Sequence, residues 1–139
     1  MDAVLDTNVL VSGLINPSGA PGRIVDLLRS GQLRSVVDDR ILAEYHDVLR
    51  RSRFERYFSE TAREDVLEYL SKNSLYTFCS MVVSGLPDPG DVPFLEVALT
   101  EQVVLVTGNM KHFPRELALN CIILTPADLI AEIGGIDHG

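Results

Sequence analysis

The chain has 139 residues, 46% of them hydrophobic and 23% charged, which fits one domain spanning residues 1–139 and excludes a mainly disordered chain. Twelve Lys and Arg against twenty Asp and Glu leave a net charge of −8, which argues against nonspecific binding to anionic membranes or nucleic acid. No apolar run approaches the ~20 residues that span a bilayer, no basic stretch follows Met1-Asp2, and Cys79 and Cys121 are too few for a disulfide framework; the expectation is a cytoplasmic protein with no membrane partner and two buried free thiols.

Ala3-Val4-Leu5 reads as a first strand that turns at Asp6-Thr7-Asn8 into a short helix with Val9, Leu10 and Leu14. Asn16-Pro17-Ser18-Gly19 is a loop by composition, and Pro21 opens a helix whose Ile24, Leu27 and Leu28 form a stripe ending near Gly31. Leu33 to Val37 is the second strand. Asp38 or Asp39 caps a helix carrying Ile41, Leu42, Tyr45, Val48 and Leu49, and Ser59 or Thr61 caps another carrying Val66, Leu67 and Leu70. Leu75 to Phe78 is predicted as a third strand and Ser84 to Gly90 as a loop. Asp91 then caps a helix with Phe94, Leu95 and Ala98 on its core face, followed by the strand Val103 to Thr107. A last strand, Cys121 to Leu124, leads through Thr125-Pro126 into a helix over Ala127 to Ile133, with Gly134-Gly135 as its stop.

Continuous apolar strands separated by helices imply a parallel sheet covered on both faces, hence a three-layer α/β/α, doubly wound fold. Ligands in such folds bind beyond the carboxyl ends of the strands, which directs attention to the residues just after them. Asp6 follows the first strand directly, Glu44 borders the buried stripe of its helix, and Asp91 lies three and four residues before Phe94 and Leu95. Each has a plain alternative: Asp6 and Asp91 as helix caps, Glu44 as a snorkelling or ion-paired side chain. If the three meet at one end of the sheet they need a cation, and oxygen ligands favour Mg²⁺ or Mn²⁺ over zinc.

Several chemistries are excluded by missing motifs. There is no GxxxxGK(S/T) loop, GxGxxG, GxSxG, HExxH or paired CxxC. An aspartyl-phosphate phosphatase would need a second Asp where Asn8 stands, and a phosphoacceptor receiver would need an Asp after the third strand and a Lys after the fifth, where the chain has Cys79-Ser80 and Thr125-Pro126. Arg50, Arg51, Arg53 and Arg56 form a local basic run, which is either a ligand contact or a solvated face.

From Val4 to about Leu129 the chain resembles the PIN-domain nucleases, specifically the toxin components of prokaryotic toxin–antitoxin pairs. The residues that carry the resemblance are Val4-Leu5-Asp6-Thr7-Asn8-Val9-Leu10, Glu44 in a Leu-x-Glu helix, Asp88-Pro89-Gly90-Asp91-Val92-Pro93-Phe94-Leu95, and Leu105-Val106-Thr107-Gly108-Asn109. The resemblance implies a sheet sandwiched by helices and Mg²⁺- or Mn²⁺-dependent cleavage of RNA. It makes Asp6, Glu44 and Asp91 the catalytic metal-binding acids, with Thr7 and Asn8 shaping the pocket. Asn109 falls at the fourth position, where many relatives have Asp, and is expected as a catalytic residue that holds a metal-bound water or the scissile phosphate; His112 falls at the place where others have an acid. Val92 and Pro93 replace the usual polar pair after the third acid, and Asp88 is a reserve ligand beside Pro89. Arg50, Arg51, Arg53, Lys111 and His112 are the expected substrate contacts, and a cognate antitoxin and a second copy of the chain the expected protein partners. The competing expectation is a PIN-like module that binds RNA or protein without cleaving.

Overall fold

Five parallel strands form the sheet, in the order β3-β2-β1-β4-β5, from β1 (Asp2–Leu5), β2 (Arg34–Val37), β3 (Leu75–Tyr76), β4 (Val104–Val106) and β5 (Ile123–Leu124). The computed structural model describes residues 1–138, with side chains to Gly134. Around the sheet lie α1 (Thr7–Ile15), α2 (Ala20–Ser30), α3 (Asp39–Leu49), α4 (Glu60–Asn73), α5 (Val92–Glu101) and α6 (Pro126–His138), giving the expected α/β/α architecture. The first strand is central. Ala3, Val4 and Leu5 pair with Val104, Leu105 and Val106 on one side, while Asp2 and Ala3 pair with Arg34 and Ser35 on the other, so all three apolar residues are fully buried. The amide of Asp6 donates to the Val106 carbonyl at 2.9 Å, which carries the pairing to the start of α1.

The helix signals are mostly where the sequence puts them. Asp38 caps α3 by accepting from the Ile41 amide at 3.0 Å, and Ser59 caps α4 by accepting from Ala62 at 3.1 Å. Thr125 and Asp128 cap α6 reciprocally. Gly31 ends α2 with φ +81°, a left-handed conformation that favours glycine. Gly22 is required by closeness instead: a Cβ there would lie 2.1 Å from the Pro17 carbonyl oxygen, where the loop between α1 and α2 crosses the second helix.

Arg40, in the first turn of α3, spans the gap to α5: its guanidinium lies 2.8 Å from both Asp38 and Glu96, and Glu96 also accepts from the Val83 amide at 2.8 Å. This bridge ties α3 to α5 and to the connector before it. Without it, Glu96, 6% exposed, would be an uncompensated buried charge.

Four expectations are corrected. The third strand stops at Tyr76 rather than Phe78, because β2 ends at Val37, whose carbonyl accepts from Thr77 at 3.0 Å; Phe78 is 100% exposed. The last strand is only Ile123–Leu124. The last helix runs through Gly134 and Gly135 to His138, since neither glycine is backed by the left-handed turn or proline that would enforce a stop. Cys79 and Cys121 are half-buried, not buried, and burial pushes the Cys121 thiol up to about 11. Among the described residues no helix is long and apolar enough to cross a membrane.

Candidate metal centre

The carboxyl end of β1 and β4 gathers most of the singled-out residues. Asp6 occupies the cap position of α1 but makes no side-chain cap bond; its carboxylate, on a residue 5% exposed, instead accepts from the Thr107 hydroxyl at 2.8 Å, just past β4. Thr107 Oγ1 in turn accepts from the Asn109 amide at 3.0 Å. Asn8 Oδ1 accepts from the Gly108 amide at 3.3 Å, a second tie between the start of α1 and the segment after β4. Glu44 reaches in from α3, held by a hydrogen bond from the Thr7 hydroxyl.

Asp91 arrives through the turn Asp88-Pro89-Gly90, where Asp88 Oδ1 accepts from the Gly90 amide at 2.9 Å. It too stands at a helix cap position without capping, because its backbone is already helical. The side chain faces the site, and Asp91 Oδ2 is buried without a hydrogen bond; His112 Nδ1 lies 2.9 Å away, out of line for one. The Asn109 amide nitrogen lies 2.8 Å from His112 Nε2. Ligand atoms of Asp88, Asp91 and His112 all fall within 4.8 Å of one another.

Electrostatically the acids are under stress. Burial raises the Asp6 carboxyl above its ordinary value, opposed chiefly by the hydrogen bond from Thr107. Glu44 is raised by burial and by the charges of Asp6 and Asp88, against the Thr7 hydrogen bond and Arg51. Asp91 is pushed up to about 6 by burial, then by Asp6, with His112 pulling it back. Three carboxyls raised together, one with an orphaned oxygen, make a site that a divalent cation would relieve, and their oxygens are the donors that hard ions take.

The basic run is less available. Arg50 pairs with Glu64 at 2.6 Å and Arg51 with Asp47 at 3.0 Å, while Arg53 lies over the Phe54 ring at 4.8 Å. Of the four, Arg51 is the one whose charge is felt by an acid of the site, Glu44. Lys111 is exposed beside His112. Thr107 was given no role from sequence, because a threonine ending an apolar run reads as the edge of a strand; its place immediately after β4 is the signal that marks it.

Residues 2–111 match the model of the PIN domain family. An uncharacterized protein of Methanocaldococcus jannaschii is 28% identical over 145 residues, covering 93% of this chain and 89% of that protein. Among solved structures, one of VapBC2 from Rickettsia felis bound to a DNA fragment from their promoter superposes with a TM-score of 0.55 at 17% identity, over 90% of this chain and 98% of the other. At that identity the likeness speaks for the fold.

Proposed function

The chain belongs to the PIN-domain family, and from that premise we propose that it is a divalent-metal-dependent endoribonuclease acting on single-stranded RNA, the toxin of a toxin–antitoxin pair. What supports the reading is that Asp6, Glu44 and Asp91 each have a raised carboxyl, that the charge of Asp6 is felt by both of the others, and that Asp91 Oδ2 is buried without a hydrogen bond. Bound Mg²⁺ or Mn²⁺ supplies the charge that lowers the pKa of an attacking water and offsets charge on the leaving oxygen.

The rest is the work of the chain. Asp6, Glu44 and Asp91 hold the ion, and the hydrogen bonds from Thr107 and Thr7 fix the angles at which the first two present their oxygens. Asn109 and Asn8 orient the scissile phosphate or water beside them. Lys111, Arg50, Arg51 and Arg53 draw in the RNA backbone, Arg50 and Arg51 by exchanging Glu64 and Asp47 for phosphate. No protein nucleophile is used.

The protein partner in this reading is a basic antitoxin segment, suited to a chain of net charge −8, and the working form is a homodimer in the cytoplasm. A second reading, an RNA- or protein-binding module without turnover, is favoured by one observation: the fourth position carries Asn109, whose amide is engaged with His112, rather than a carboxylate.

The test is cleavage of an unstructured RNA. With Mg²⁺ or Mn²⁺ the protein gives 5′-phosphate and 3′-hydroxyl ends, EDTA stops it, and Asp6→Asn reduces the rate by about a thousandfold or more. Cleavage that persists in EDTA, or 2′,3′-cyclic phosphate ends, refutes the reading; Mn²⁺ binding without turnover selects the second.

A further inference from the structure

We infer that Asp88, Asp91 and His112 form a mixed nitrogen–oxygen cation site that makes this chain prefer Mn²⁺ to Mg²⁺. The inference rests on Asp91 being a metal ligand, as proposed above, and adds two residues and an ion preference to it.

The geometry is that of a site one small adjustment from closure. A six-coordinate ion with bonds of about 2.0–2.2 Å spaces its donors from about 3 Å to a little over 4 Å apart. The three donor atoms here lie within 4.8 Å of one another. Asp91 is 7% exposed, and its Oδ2 is buried without a hydrogen bond, so it faces the cluster with its lone pairs unspent. Nδ1 of His112 approaches that oxygen to 2.9 Å without the alignment of a donor, as two ligands of one ion do. Asp88 spends one oxygen on the Gly90 amide, which sets its carboxylate and leaves the other oxygen for a cation.

Asn109 supplies the outer support. With an ion on Nδ1, the histidine carries its proton on Nε2, where the Asn109 side-chain amide now lies 2.8 Å away. Rotating that amide by half a turn replaces its nitrogen with its oxygen at the same position and accepts the Nε2 proton. Metal-bound histidines ordinarily have such an outer acceptor. The neutral residue at the fourth position thereby has a use that a second carboxylate would not improve on sterically. Ion choice follows from the donors: Mg²⁺ is hard and dehydrates reluctantly, whereas transition-metal ions accept an imidazole nitrogen.

The experiment uses the full chain and the metal ions alone. Mn²⁺ binding is measured calorimetrically and by electron spin echo spectroscopy, which detects a ¹⁴N nucleus bonded to Mn²⁺, and Mg²⁺ is titrated as competitor. The expected result is Mn²⁺ binding at least tenfold tighter than Mg²⁺, with a ¹⁴N coupling in the wild type. His112→Ala abolishes the coupling and reduces the preference to less than about threefold, and Asp88→Asn weakens both ions while retaining the coupling. Mn²⁺ binding with no ¹⁴N coupling in the wild type, or a preference unchanged in His112→Ala, overturns the inference and leaves the nuclease reading standing. If neither ion binds the wild type, both fall together.

Discussion

Asp91→Asn removes one negative charge from a buried site while keeping the shape of the side chain, so its effect on stability reads the cost of burying that charge beside Asp6. The Asp91 carboxyl rises from an ordinary 3.8 to about 6 in the fold. Such a rise corresponds to about 2–3 kcal/mol of destabilisation of the charged form at pH 7–8. The sign follows from proton counting: between about pH 4 and 6 the folded chain holds a proton that the unfolded chain has released, so stability falls as pH rises through that window and stays low above it. Without metal, Asp91→Asn is therefore more stable than wild type at pH 7.5 by up to about 2–3 kcal/mol, a rise in Tm of roughly 5–10 °C. The gain shrinks to well under about 1 kcal/mol near pH 4 and vanishes below about pH 3, where the wild-type carboxyl is protonated in both states. Mn²⁺ then closes the gap, since a ligand at a hundred times its Kd adds about 2.7 kcal/mol to the state that binds it, about the size of the variant's advantage. Urea or thermal denaturation at pH 4 and 7.5, with EDTA and with Mn²⁺, gives all the needed values. A variant less stable than wild type at pH 7.5 in EDTA, or a difference that does not change with pH, refutes the argument that Asp91 is held charged against burial and the charge of Asp6.

Thr7→Val deletes the hydroxyl that steers Glu44, and should raise the Glu44 carboxyl further and weaken Mn²⁺ binding by about tenfold with little change in fold, measured by calorimetry and circular dichroism. Arg40→Ala strips Glu96 of its ion pair and should cost about 2 kcal/mol in urea denaturation at neutral pH. Gly22→Ala drives a Cβ into the Pro17 carbonyl and should cost 2 kcal/mol or more, roughly, whereas the same change at Gly134, which meets nothing within 4 Å, should be neutral or slightly stabilising.

The sheet was legible because β1 and β4 are buried on both faces and therefore written as unbroken apolar runs, a pattern that leaves one assignment open. Phe78 was misassigned for the opposite reason: apolar residues continue past Tyr76, but strand pairing depends on how far β2 extends, which local composition does not encode. Asp6 and Asp91 were legible as positions and ambiguous as roles. A capping acid and an acid turned into a site share the same place in sequence, and only backbone angle and side-chain direction separate them. Asp38, read as a cap by the same rule, is one. Thr107 and the His112–Asn109 contact depend on distances between the β4 end and residues far away in sequence, which spacing alone does not supply.

The hydrogen bond from Thr107 to Asp6 joins residues 101 positions apart, and β1 has its longest pairing with β4 rather than with the strand that follows it. During translation, then, the first acid emerges long before the strand that fixes it; Asp91 also precedes that strand, and His112 follows it. Closing so long a loop is slow compared with forming local helices. A ribosome carrying the first two-thirds of this chain holds the acids without their arrangement. Whatever the site does, it can begin only after β4 and the segment that follows it have been made, which separates the birth of the first acid from the onset of its chemistry.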